Sequence, residues 1–281
     1  MGAALVKIGA ALLEAAPAVI TTQVVERVIP AVFDGIVSLL KKMSTPPNQP
    51  KDIPLAVAKQ DPKEIREAVR KAIGMDCVGK YNFGVTGFTG TGKSSFINAV
   101  RGLKPTDDGA ATVGIDETTL TLQSYPDPRY PHIVYWDTPG CGTTSVPVKE
   151  YFTTQKLFCF DCLLIIVGNR ILESDLEIAR AALDLNIPVF FVRSQSDKSL
   201  RDVMENEELE LDEALEKMHD MKKTMRAYLD SQGFAVVRLF VISAKVVFEL
   251  FGTEKLSGQY ELFDERSLIE SVITVSYAGR S

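Results

Sequence analysis

The sequence is poor in histidine and cysteine, and it has no long apolar run. Its two histidines, His132 and His219, stand apart from each other and from any plausible metal partner. Four cysteines and the lack of a secretory signal predict a reducing, cytosolic setting. No stretch approaches the roughly 18 uncharged apolar residues that a membrane-spanning helix needs. We therefore expect a cytoplasmic protein that associates at most peripherally with intracellular membranes.

Basic residues are also in the minority, and the formal net charge is −6. A nucleic-acid-binding domain usually carries a basic face, so the composition favours no nucleic-acid partner. Hydrophobic residues make up 46% of the 281 residues, which is enough to bury a sizeable core. The length suits one large domain, or one domain with an appendage.

Cys159 and Cys162 form a C-x-x-C pair, a spacing that elsewhere holds zinc or carries out redox chemistry. The pair opens an apolar run that ends at Val167, and no second pair of cysteines or histidines lies nearby. We interpret both as core thiols of a buried strand.

Residues 1–43 differ in character from the rest of the chain. Apolar pairs recur there about every four residues, which predicts amphipathic helices, and Pro17 and Pro30 should start, kink or divide them. Residues 44–60 are proline-rich and predict an extended linker. The apolar stripe needs a partner, either protein or membrane, and its few cations favour protein.

Residues 61–281 alternate between strand-like and helix-like stretches. This alternation predicts an α/β domain with a mainly parallel six-stranded sheet flanked by helices. The predicted strands cover residues 81–86, 118–124, 132–136, 162–167, 189–193 and 238–242, and the predicted helices cover residues 62–73, 93–101, 172–185, 200–231 and 264–275.

Residues 87–94 read G-F-T-G-T-G-K-S and match the phosphate-binding P-loop pattern G-x-x-x-x-G-K-[ST]. The glycines let backbone N–H groups point at phosphate oxygens, and the following helix adds the positive end of its dipole. Lys93 is predicted to contact the β- and γ-phosphates, and Ser94 to ligate Mg²⁺. The predicted phosphate-binding residues are Gly87, Thr89, Gly90, Thr91, Gly92, Lys93, Ser94 and Ser95.

A D-x-x-G sequence, Asp137 to Gly140, follows an apolar strand. Asp137 is predicted to hold Mg²⁺ through water, and the Gly140 amide to sense the γ-phosphate. Thr119, or alternatively Thr118, is predicted to close over the ion when the γ-phosphate is present; a plain strand threonine is the other interpretation. The predicted metal ligands are thus Ser94, Thr119 and Asp137, and the predicted catalytic residues are Lys93, Thr119 and Gly140.

Ser194-Gln-Ser-Asp197 stands where nucleotide-binding domains of this kind read the base with [N/T]-K-x-D. Asp197 can accept hydrogen bonds from N1–H and N2–H of guanine, a pair that adenine lacks; use of ATP would require that it does not. Gln195 replaces the usual lysine, so weaker affinity or base fidelity is expected. Ser243, Ala244 and Lys245 match a short loop that supports guanine through backbone N–H groups.

These motifs together resemble the immunity-related, or interferon-inducible, GTPases. The resemblance rests on residues 87–102, 134–140, 190–197 and 241–245 and covers about residues 60–275. It implies binding of GTP, GDP and Mg²⁺, slow hydrolysis of GTP, dynamin-like self-association through the G domain into a homodimer or oligomer, and action at intracellular membranes. The family's C-terminal helical domain is expected to be absent, because the sequence ends at Ser281.

Cys141 follows Gly140, where many small GTPases place a glutamine that orients the attacking water. Slow intrinsic hydrolysis is therefore expected, with help from substrate, backbone or a second subunit. Arg101, Arg129 and Arg170 are candidates for an arginine supplied to a second molecule. The alternative function is a non-hydrolytic GTP- or GDP-binding module that gates residues 1–43.

Overall fold

The computed structural model describes residues 62–113, 122–140, 148–252 and 263–278. The chain divides into two compact units, Met1–Cys77 and Val78–Ser281. The predicted helices in residues 1–43 and the predicted linker at residues 44–60 lie outside the described residues. The predicted domain boundary at residue 61 stays a prediction.

Helix α1, Pro62–Ala72, belongs to the first unit and confirms the helix predicted there. Gly74 ends it in a left-handed conformation with φ 69°. The N–H of Met75 bonds the carbonyl of Arg70 at 2.9 Å, and that of Gly74 bonds Lys71 at 3.1 Å. This pair of bonds is a Schellman cap, for which glycine is the favoured residue.

A six-stranded sheet forms the centre of the second unit, with spatial order β2-β3-β1-β4-β5-β6. Its strands are β1 (Tyr81–Thr86), β2 (Gln123–Pro126), β3 (Ile133–Asp137), β4 (Cys162–Val167), β5 (Val189–Arg193) and β6 (Arg238–Val241). All neighbouring strands pair in parallel except β2, which runs antiparallel to β3 at the sheet edge. The predicted fold class is therefore confirmed.

The described helices of this unit are α2 (Lys93–Val100), α3 (Val148–Thr154), α4 (Glu173–Asp184), α5 (Ser196–Glu207), α6 (Leu211–Ser231), α7 (Ala244–Gly252) and α8 (Glu265–Ala278). Prediction of one helix over residues 200–231 was wrong. Glu208 adopts a left-handed conformation with φ 52° and ends α5, so two helices form. Helices α3 and α7 were not predicted.

The sheet edge at β2 also differs from the prediction. The strand runs from Gln123 to Pro126 rather than ending at residue 124, and residues 118–121 lie outside the described residues. Proline lacks the N–H of a central strand residue, and an edge strand tolerates it.

The core lies on both faces of the central strands. Every residue of β1, β3, β4 and β5 is buried, as expected of parallel strands covered by helices on both sides. Cys159 and Cys162 are buried and outside any disulfide, which confirms their interpretation as core thiols. Only Cys162 lies in a strand, because Cys159 ends a short 3-10 helix, Leu157–Cys159. Among the described residues, no helix is long and apolar enough to cross a membrane.

The parallel strands place the predicted motifs at one edge of the sheet. The loop after β1 carries the P-loop, β3 ends at Asp137, and β5 and β6 lead into Ser194 and Ser243. Helix α2 packs against α7 and the sheet beneath this edge. Ligands of open parallel sheets bind at the carboxyl ends of the strands, so the topology brings the motifs to a common binding region.

Candidate nucleotide-binding site

Three glycines shape the loop between β1 and α2. Gly87, Gly90 and Gly92 have φ values of 139°, 82° and 91°, a region that residues with a side chain rarely adopt. At Gly87 a Cβ atom would lie 2.2 Å from the carbonyl oxygen of Ile166. Glycine is therefore required there by both backbone conformation and space.

The ammonium group of Lys93 lies beneath this loop. Its Nζ donates to the carbonyls of Gly87 and Phe88, each at 3.1 Å, and the side chain is only 8% exposed. Thr91 tightens the same turn by donating from Oγ1 to the Phe88 carbonyl at 2.9 Å. A buried cation beneath a glycine-rich loop is suited to binding phosphate.

Ser94 and Asp137 meet between α2 and β3. The Ser94 hydroxyl donates to Oδ2 of Asp137 at 2.7 Å, and Asp137 is 1% exposed. A hydroxyl and a carboxylate are hard oxygen ligands of the kind that Mg²⁺ prefers, so these residues fit the ion. Ser95 follows in the same turn and is partly buried.

Gly140 lies directly against the P-loop. A Cβ atom on Gly140 would be 2.4 Å from Oγ1 of Thr89 and 3.1 Å from its Cα and N. The end of the D-x-x-G sequence therefore contacts the first half of the P-loop. Thr119, Thr118 and Cys141 lie outside the described residues, so their predicted roles stay predictions.

The predicted base-reading segment also contacts the P-loop. The Ser194 hydroxyl donates to the Thr91 carbonyl, and Nε2 of Gln195 donates to the Gly90 carbonyl at 3.1 Å. Gln195 has φ 59° and precedes α5, whose second residue is the partly buried Asp197. Gln195 thus connects the base-reading segment to the P-loop through an uncharged side chain, where the usual residue is a charged lysine.

Arg193 supports this segment from below and was missed by the sequence reasoning. One guanidinium nitrogen donates to Oδ1 of Asn169 at 3.0 Å and to Oγ of Ser199 at 2.8 Å. Burial lowers the pKa of Arg193. Ser199 lies in the first turn of α5, so the arginine holds the helix that carries Asp197.

Ser243 directly precedes α7, and Ala244 and Lys245 are the first two residues of that helix, so the segment does not form an open loop. The Ser243 N–H donates to Oε1 of Glu265 at 2.9 Å, and the Ser243 hydroxyl accepts from the Val246 N–H at 3.4 Å. Burial raises the pKa of Glu265. Because the Ser243 N–H is engaged by Glu265, backbone support for a base would come from Ala244 and Lys245.

Two further polar residues near the site were missed. The side-chain amide of Asn98 forms two hydrogen bonds with the backbone of Ala111. It donates to the Ala111 carbonyl at 2.8 Å and accepts from the Ala111 N–H at 2.6 Å.

Asp175 caps α4 by accepting from the Leu172 N–H at 2.9 Å. Burial raises the pKa of Asp175 to about 6, while the charge of Lys93 opposes this shift. The sequence carries little signal for this cap, because the N-cap residue is Leu172 rather than serine or threonine.

Two of the candidate arginines are engaged within the protein. Arg101 is buried, and its guanidinium group donates to the carbonyls of Pro126 at 3.0 Å and Gly109 at 2.9 Å. Arg129 donates to the Val100 carbonyl and pairs with Asp127 at 3.4 Å. Arg170 is exposed after β4. Of the three, Arg170 alone has a side chain on the surface and outside a described hydrogen bond or ion pair.

Comparison with known proteins agrees with this geometry. The interferon-inducible GTPase (IIGP) family model matches residues 47–258. Interferon-inducible GTPase 1 of Mus musculus is 32% identical over 166 residues, 59% of this chain and 40% of that protein. T-cell-specific guanine nucleotide triphosphate-binding protein 2 of Mus musculus is 40% identical over 116 residues, 41% of this chain and 28% of that protein.

The chain thus spans 40% or less of the length of these two relatives. Among solved structures, a bacterial selenocysteine-specific elongation factor is similar with a TM-score of 0.45 and 15% identity, over 71% of this chain and 29% of that one. Because the family match extends over most of the sequence, the chain belongs to the interferon-inducible GTPase family.

Proposed function

We propose that this protein binds GTP together with Mg²⁺ and hydrolyses it to GDP and phosphate. The observation that carries the proposal is the assembly of three motifs at one sheet edge. Ser94 joins the P-loop helix to Asp137, and Gln195 joins the base-reading segment to Gly90. A P-loop pattern that occurred by chance, outside a nucleotide-binding site, would not be expected to make these contacts with the other two motifs.

Each motif has a distinct task in this proposal. The backbone N–H groups of residues 87–92 and the ammonium of Lys93 bind the phosphates and offset their charge. Asp197 accepts from the guanine N1–H and N2–H groups. The Gly140 N–H donates to the γ-phosphate, whose charge spreads over its outer oxygens as the bond to the β-phosphate breaks.

Ser94 and Asp137 would hold Mg²⁺, with Thr119 as a further predicted ligand. Bound there, the ion would neutralise charge on the phosphates. Ser94 would bind the ion through its hydroxyl and the buried Asp137 would hold it through water, so both residues would give up their mutual hydrogen bond.

Slow turnover by the isolated protein follows from the residues available. Cys141 follows Gly140 at the position where many small GTPases carry the glutamine that orients water. Dynamin-like self-association through the G domain, which would supply a missing group such as Arg170, is part of the proposal. So is a membrane or protein partner for residues 1–43 of a cytoplasmic protein.

The test is release of phosphate from GTP and from ATP, measured over a range of protein concentrations. Lys93→Ala is the inactive control, and Lys104→Ala, at an exposed lysine outside the site, is the matched one. Hydrolysis of GTP but not of ATP, with a rate per protein molecule that rises with protein concentration, supports the proposal. Binding of GTP with no turnover at any concentration contradicts hydrolysis and favours the nucleotide-gated binding module.

A further inference from the structure

Tyr151 projects from α3 into the space behind the D-x-x-G sequence. Its side chain is 7% exposed. The phenolic oxygen lies 2.6 Å from the Pro139 carbonyl, 3.0 Å from Oγ1 of Thr86 and 3.3 Å from Oγ1 of Thr138. One hydroxyl therefore connects the end of β1, the D-x-x-G sequence and α3.

The chemistry of these groups fixes where the phenolic hydrogen goes. A carbonyl oxygen can only accept, and the Pro139 contact is the shortest of the three. The Thr138 hydroxyl already donates to the Val85 carbonyl at 3.0 Å. Tyr151 thus donates to Pro139, and the hydroxyl of Thr86 is left to donate to Tyr151.

The Pro139 carbonyl shares a peptide plane with the N–H of Gly140. In a trans peptide these two groups point in opposite directions within one rigid plane, and the described residues contain no cis bond. A hydrogen bond that holds the carbonyl therefore also sets the direction of the N–H. On the other side of this peptide plane, Gly140 lies close to the backbone of Thr89.

We propose that Tyr151 is a positioning residue that orients the Gly140 N–H toward the terminal phosphate of a nucleoside triphosphate. The site thereby distinguishes a triphosphate from a diphosphate, because only the former reaches this N–H. The inference rests on the proposed function, in which Gly140 contacts the γ-phosphate. Tyr151 touches no nucleotide in this scheme and acts only through the peptide plane.

The test is Tyr151→Phe, which removes the hydroxyl and keeps the buried ring. Dissociation constants for GDP and for a non-hydrolysable GTP analogue are measured by calorimetry in the presence of Mg²⁺. We expect the analogue to bind about tenfold more weakly to the variant, a change of roughly 1.4 kcal/mol, with GDP affinity within twofold of wild type. Tyr228→Phe, at an exposed tyrosine of α6, should change neither value.

A purely structural role for Tyr151 predicts a different result. Affinity for both nucleotides would then fall together, or neither would change, and an unaltered ratio overturns the inference. If the wild-type protein binds neither nucleotide, the proposed function fails instead. Thermal melting shows whether the variant folds.

If Tyr151→Phe fails to fold, the amide proton of Gly140 in the wild-type protein provides the test by NMR. Protection of this amide from solvent exchange should increase when the GTP analogue replaces GDP. Thr86→Val, which removes the hydroxyl that donates to Tyr151, should reduce that increase, and an unchanged increase contradicts the inference.

Discussion

The hydroxyl of Ser94 donates a 2.7 Å hydrogen bond to the carboxylate of Asp137. The two residues are far apart in sequence, and the bond joins the first turn of α2 to the end of β3. Ser94 is partly buried and Asp137 is buried, so this bond offsets part of the cost of removing two polar groups from water. Their contact makes the P-loop and the D-x-x-G sequence one site.

Ser94→Ala is expected to weaken the coupling between Mg²⁺ and nucleotide. Alanine cannot ligate the ion, so the Mg²⁺ concentration that gives half-maximal binding of a GTP analogue should rise at least about tenfold, as for loss of one charged hydrogen bond. Ser94→Thr keeps the hydroxyl and should restore the wild-type value. Equal Mg²⁺ dependence in Ser94→Ala and wild type would contradict the assignment of Ser94 as a ligand.

Gln195→Lys should strengthen binding of both GDP and GTP. The lysine ammonium would replace the neutral donor that bonds the Gly90 carbonyl at 3.1 Å, and a hydrogen bond from a charged donor is roughly twice as strong. Calorimetry should show dissociation constants about fivefold lower, and Gln195→Ala should raise them. If lysine leaves both constants unchanged, this contact does not limit affinity.

Asn98→Ala should destabilise the protein. It removes both hydrogen bonds to Ala111 and leaves a buried N–H and a buried carbonyl without the amide. The expected loss is about 2 to 4 kcal/mol of unfolding free energy, measured with urea. Asp108→Ala, at an exposed position in the same connection, is the control and should lie within about 0.5 kcal/mol of wild type.

Asp175 should make the unfolding free energy depend on pH. Its pKa is raised from 3.8 to about 6 in the folded protein, so the folded state holds the proton more tightly than the unfolded one. Stability therefore falls as pH rises between these values and is constant above about 6. Asp175→Asn keeps an oxygen acceptor for the Leu172 N–H and removes this dependence.

Urea unfolding at several pH values tests this expectation. Relative to wild type, Asp175→Asn should gain about 2 kcal/mol of stability between pH 4.5 and pH 7.5, since one pKa unit corresponds to about 1.4 kcal/mol. A difference between the two proteins that stays constant over this range would show that Asp175 titrates normally.

The sheet and the local motifs could be predicted from the sequence because both depend on short local patterns of residues. The run before Asp137 is apolar, and the strand before Gly87 is followed by a glycine-rich turn. The break at Glu208 was missed because a left-handed glutamate has no strong local signal. Tyr151, Arg193 and Glu265 were missed because their roles arise from contacts between distant segments.

Recognition of guanine by Asp197 can be measured by competition between guanine and adenine nucleotides. Binding of GTP and ATP analogues should be measured by calorimetry on wild type and on Asp197→Asn. Wild type is expected to prefer the guanine nucleotide by at least about a hundredfold, since Asp197 pairs with two donors that adenine does not offer. Asp197→Asn is expected to lose most of this preference. Similar affinity of wild type for both nucleotides would contradict guanine recognition by Asp197.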